Sequence, residues 1–123
     1  MKSDAMDFAM DLVTTHARPV VDSLVRRVLE LDDGVDPLVG ETSDILLHKI
    51  DHMPQPLGAG MLALTLLFDA SGAVAGGHTF RAMDAGAQRR HIERWRSVPL
   101  GRDFVAFYEK MGVFVYYSRR EGE

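Results

Sequence analysis

From residue 100 onward, Leu100, Phe104, Phe107, Met111 and Phe114 recur at steps of four, three, four and three. That spacing sets side chains along one side of an α-helix. The stretch ends in MGVFVYYS at 111–118, which is apolar at both parities and so lacks the alternation of a half-buried strand. Valine and tyrosine favour strands, and a fully buried strand has the same composition; the continuing three–four spacing favours the end of a long helix. Tyr116 and Tyr117 are neighbours and diverge by about 100° around a helix. One of them is expected to enter the core, leaving the other for a partner, a ligand or solvent. Whether one small core absorbs the whole patch or a second surface covers it is open from pattern alone.

The remaining segments share the helical period. Residues 4–32 place Val21, Leu24, Val25, Val28 and Leu31 on one side. Pro19 lacks the interior donor, so a break or kink is expected near Ala17–Arg18, and Asp32-Asp33-Gly34 reads as the stop. Residues 35–42 read as a loop, with Thr42 or Ser43 capping a helix that buries Ile45, Leu46, Ile50 and Met53 and ends at MPQP. Residues 57–70 are apolar nearly all round, which predicts a helix in the middle of the fold, closed by Asp69-Ala70-Ser71-Gly72. Residues 73–83 read as a short helix or a turn. Asp84 is expected to cap a helix over 85–97 that turns Ile92 and Trp95 inward and Gln88, Arg89, Arg90, Glu93 and Arg96 mostly outward. Pro99 ends it and starts the next. The expectation is an all-α compact bundle of five or six helices in one domain spanning 1–123, with residues 119–123 a frayed tail.

Composition excludes several classes. The 123 residues suit one domain. There is no cysteine, so disulfides, thiolate zinc sites and iron–sulfur clusters are ruled out. Asp4 and Asp7 stand where a secretory signal needs positive charge, and no twin-arginine pair precedes an apolar run. LGAGMLALTLLF is shorter than a bilayer-spanning helix. The reading is a cytoplasmic chain with no transmembrane segment, periplasmic only if a partner carries it there. Net charge is -4, divided as -7 over residues 1–80 and +3 over 81–123, enough to orient a partner or to draw the two ends weakly together.

Candidate sites are sparse. His48 and His52 lie one helical turn apart in HKIDH, and with Asp44, Asp51, His78 or His91 they form the basis of a metal- or ligand-binding alternative. The motif lacks the glutamate of HExxH. No nucleophile elbow and no phosphate-binding glycine loop is present. Arg81, Arg89, Arg90, Arg94 and Arg96 surround Trp95, as phosphate contact and base stacking require. The acidic chain and the absence of a DNA-binding motif favour a solvated or protein-binding face over nucleic acid. No catalytic, cofactor-binding or metal residue is assigned; Trp95, Phe107, Tyr108, Phe114, Tyr116 and Tyr117 are the candidate interface.

The run from ARPVVDSLVRRVL through DHMPQP, LALTLLFDASG and FRAMDAGAQRRHIERW to FVAFYEKMGVFVYYS resembles the small-subunit family that accompanies flavin-dependent gluconate-type dehydrogenases. It is also similar to an N-terminal part of some long-chain alcohol oxidases. The similarity covers about residues 17–118, and its motifs are mainly structural. Tyr116, Tyr117 and Ser118 match the family's closing motif; Trp95 and Phe107 match its apolar framework. The resemblance implies a non-catalytic accessory subunit with no cofactor of its own. Its partner would be a large FAD-containing subunit of the glucose–methanol–choline type, which it helps to fold, stay soluble or reach its place. Many relatives carry a twin-arginine export signal that this chain does not show. A homodimer is also compatible, since homodimers and heterodimers both use apolar patches.

Overall fold

The structure, a computed structural model, describes the backbone of residues 4–31, 34, 36–54 and 56–121, and the side chains of these from residue 12 on, 13 and 75 excepted. Among the described residues there are five α-helices and no strand: α1 (Asp4–Val28), α2 (Pro37–Asp51), α3 (Leu57–Gly76), α4 (Ala85–Arg96) and α5 (Pro99–Glu121), with a 3-10 turn at Phe80–Ala82 between α3 and α4. The all-α bundle expected from the periodicity is the fold observed.

α1 is one helix through Pro19, not two. Ala17, Val20, Val21 and Leu24 lie on either side of the proline and are fully buried. Their packing carries the helix past the missing hydrogen bond. It stops before the expected Asp32-Asp33-Gly34; the two aspartates lie outside the described residues. Glu30 adopts a left-handed φ of 56°. The Leu31 amide then reaches Arg26 O at 2.8 Å and the Glu30 amide reaches Arg27 O at 3.2 Å, a Schellman closure that satisfies two terminal carbonyls.

α2 begins five residues before Thr42. Asp36 is its N-cap, accepting from the Leu38 amide at 3.0 Å, and Pro37 opens the first turn. Thr42 and Ser43, expected as caps, are instead fully buried inside the helix. The earlier start gains a cap whose carboxylate has a second partner in α5.

α3 departs from expectation in length and in place. Asp69 does not end it: the carboxylate turns inward, accepts from the Arg81 amide at 3.0 Å and faces the Arg81 guanidinium at 3.7 Å. The helix continues to Gly76 and closes on Gly77, whose φ of 82° suits a residue without a side chain. At Gly72 the returning chain crosses so closely that a Cβ would lie 2.7 Å from His78 O. Leu62, Thr65, Phe68 and Asp69 point into the bundle. Leu57, Leu67 and Val74 are 59%, 56% and 92% exposed, so this apolar helix lies at the edge of the fold. Its window Leu57–Val74 has a mean hydropathy of 1.6, long and apolar enough by length and composition to cross a membrane.

The core centres on Phe68. Its ring lies 4.6 Å from Phe80, 4.7 Å from His91, 4.9 Å from Trp95 and 5.2 Å from Phe104, in edge-on or tilted arrangements. Fully burying each such side chain contributes about 1.5–3 kcal/mol. α5 packs on α1, α2 and α4.

Candidate partner-binding surface

α5 buries Phe104, Val105, Tyr108, Gly112, Val115 and Tyr116. This face is rotated from the stripe expected at Leu100, Phe104, Phe107, Met111 and Phe114. Of that stripe Phe104 alone is fully enclosed; Phe107 and Met111 are half-buried, and Leu100 and Phe114 are exposed. The rotation comes from the tightness of the helix contacts. At Gly101 a Cβ would stand 2.1 Å from Trp95 O, so the turn between α4 and α5 sets the face that enters the core.

The C-terminal end of α5 divides its two tyrosines. Tyr116 is buried and donates its hydroxyl hydrogen to the Asp36 carboxylate at 2.8 Å. That bond, and burial after it, raise the phenol's pKa above its ordinary value. Tyr117 packs edge-on to Tyr116 at 5.2 Å and is 42% exposed. Phe114, one turn back on the same side, is 65% exposed, and Val113 is exposed beside them. Three apolar side chains thus share an outward face on a helix end that Tyr116 fixes in place.

Of the other candidate interface residues, Tyr108 is fully enclosed and shares a 2.8 Å hydrogen bond with Thr65. Burial pushes its phenol far up, against the opposing pull of that bond. Trp95 is half-buried, its Nε1 donating to Ser71 Oγ at 3.1 Å, and Phe107 is half-buried against the core. Between α3 and α5 runs a separate apolar groove of about 580 Å³, lined by Leu57, Met61 and Leu64 on one side and Leu100 and Phe104 on the other, with Asp103 at its lip.

A polar cluster lies behind Phe68 that joins His91, named above only as a possible metal ligand, to Arg94 of the arginine run. His91 is buried; its Nε2 lies 2.8 Å from Phe68 O and 3.2 Å from Ser71 Oγ, while Arg94 reaches its Nδ1 at 3.1 Å. The donation from Arg94 requires a lone pair on Nδ1, so the ring is neutral with its hydrogen on Nε2. Burial lowers its pKa below the ordinary histidine value; the bond to Phe68 O opposes this and Arg94 adds to it. Gln88, expected mostly outward, is buried and donates to Phe80 O at 2.9 Å. Residues 88, 91, 92 and 95 make a three–one–three stripe with Ile92 and Trp95, which was the available signal. Their polarity hid it.

The His48 and His52 rings lie with centres 4.1 Å apart, tilted by 40°. Asp44 and Asp51 line the same groove of about 420 Å³ as His48, but Asp44 is paired with Arg18. Among the described residues no three histidine or acidic side chains are grouped to hold a metal ion. The arginine row is partly neutralised: Arg81 meets Asp69, and Arg96 bridges Glu93 at 2.8 Å and Glu109 at 2.9 Å. Trp95 is edge-on to Phe68 and 5.3 Å from Phe104, so its ring is engaged in the core.

Comparison of the chain with protein-family models, with characterised proteins and with solved structures finds no match.

Proposed function

We propose that this chain is a non-catalytic accessory subunit that binds a large FAD-dependent oxidoreductase of the glucose–methanol–choline type and supports its folding, solubility or location. The observation that carries the reading is the outward face of Val113, Phe114 and Tyr117 on an anchored helix end. Aromatic side chains held in one orientation contribute strongly to protein interfaces, because little conformational freedom remains to be lost on binding. The resemblance of FVAFYEKMGVFVYYS and the upstream segments to small subunits of gluconate-type dehydrogenases supplies the flavoprotein as the partner. The flavin belongs to that partner.

The test is affinity purification of the chain from its native cell. A stoichiometric protein with flavin absorbance is the expected companion, and Phe114→Glu should lower its recovery at least about tenfold, as loss of a central aromatic contact does. A chain that purifies alone, or a companion without flavin, overturns the reading.

A further inference from the structure

We propose that the outer face of α3 is a self-association surface that pairs, antiparallel, with the same face of a second copy of this chain, about a twofold axis at Leu67. The inference goes beyond the accessory-subunit reading and uses a different part of the molecule.

α3 is about 30 Å long. Its one charged residue is Asp69, which is turned inward onto Arg81. The outward side therefore carries no charge along its whole length. Gly60, Ala63, Leu67, Ala70 and Val74 are all exposed. They recur at three, four, three and four, the spacing of a seam between two helices. The small members let the helix axes approach closely.

Symmetry identifies the occupant. An isologous interface brings each residue opposite its symmetry mate. Gly60 and Val74 stand equally far from Leu67 on either side, so an antiparallel mate sets the large Val74 against the small Gly60 at both ends. Ala63 and Ala70 fall within one residue of facing one another, and Leu67 meets Leu67. Charge selects the same direction. Asp103 lies at the N-terminal end of α3, on the groove lip beside Leu57. At the C-terminal end Arg81 is already paired with the inward Asp69. Antiparallel pairing keeps the two Asp103 carboxylates at opposite ends of the seam. A parallel pair would set Asp103 against Asp103. The opposed helix dipoles favour the antiparallel arrangement too. A lipid surface fits less well: α3 carries no Lys or Arg, which surface-bound helices use at the headgroups. Its inner side is also held in the bundle by the Thr65–Tyr108 and Asp69–Arg81 contacts.

Sedimentation equilibrium of the full chain tests this. The expected result is twice the chain mass of 13.7 kDa. Leu67→Glu and Leu67→Lys, each alone, should raise the dimer dissociation constant about 100-fold or more by placing like charges face to face. An equimolar mixture of the two should restore the dimer, since the axis puts position 67 against itself. Circular dichroism melts check that both variants fold. Phe114→Glu should leave the dimer intact, and Leu67→Glu should still recover the flavoprotein, which separates this inference from the accessory-subunit reading. A wild-type monomer at about 100 μM, a Leu67→Glu chain that stays dimeric, or a charge-swapped mixture that stays monomeric overturns it. So does Leu67-dependent binding of the chain to phosphatidylcholine vesicles in place of dimer formation.

Discussion

His91 shows how one buried side chain ties local bonding to bulk pH. In the folded chain Nδ1 accepts from Arg94 and Nε2 donates to Phe68 O, an arrangement that needs the neutral ring. The folded pKa is therefore lowered, whereas the unfolded ring titrates near its ordinary value of 6.5. As pH falls through that value, the unfolded state takes up a proton that the folded state refuses, and stability declines. At neutral pH and above, this loss is absent. We expect the urea midpoint of the wild type to fall between about pH 7 and pH 5, and His91→Gln to show a shallower acid slope. Equal slopes in the two chains would mean that the imidazole is not held neutral.

At the scale of elements, the junction between α4 and α5 governs which face of α5 meets the core. Gly101→Ala would drive a methyl into the Trp95 backbone, with 2.1 Å to the carbonyl oxygen. Backbone cannot yield as a side-chain tip does, so a cost of at least about 2 kcal/mol is expected in denaturant unfolding. An unchanged midpoint would show that the junction can open freely. The same junction explains what the sequence disclosed and what it withheld. The capping of α4 by Asp84 and the start of α5 at Pro99 were legible, because each is a local signal. The rotation of the α5 face was not, because Gly101 and Gly112 count for nothing in a hydrophobic pattern, yet both are buried. The start of α2 was not legible: Thr42 or Ser43 was expected as the cap, and the cap is Asp36, whose carboxylate is also held by Tyr116, 80 residues away. Residues 57–70 were legible as a helix but not as an edge: uniform apolarity carries no direction. The outward Phe114 and Tyr117 followed the same logic, since the period says that two neighbouring tyrosines diverge without saying which one turns in.

For the whole molecule, the Tyr116–Asp36 bond joins the far end of α5 to the first turn of α2. Tyr116→Phe removes the hydrogen bond to a carboxylate and should lower unfolding stability by about 1.5–3 kcal/mol. Because the folded phenol's pKa is raised, this contribution is present below about pH 10 and fades as pH rises through the folded value. Denaturant curves for the two chains should accordingly converge in strong alkali; a constant gap would assign the effect to packing. Arg119 and Glu41 lie 3.8 Å apart alongside, but both are exposed and add little. This clasp also bears on how the protein is made. Phe104, Val105 and Tyr108 come from α5 and complete the enclosure of the core. A ribosome releases them only after α1 through α4 have emerged, so the nascent chain must wait with Phe68 and its neighbours open to solvent. Enclosure of the core is therefore settled only once α5 has emerged, and a chaperone that shields greasy surface has its moment in that interval.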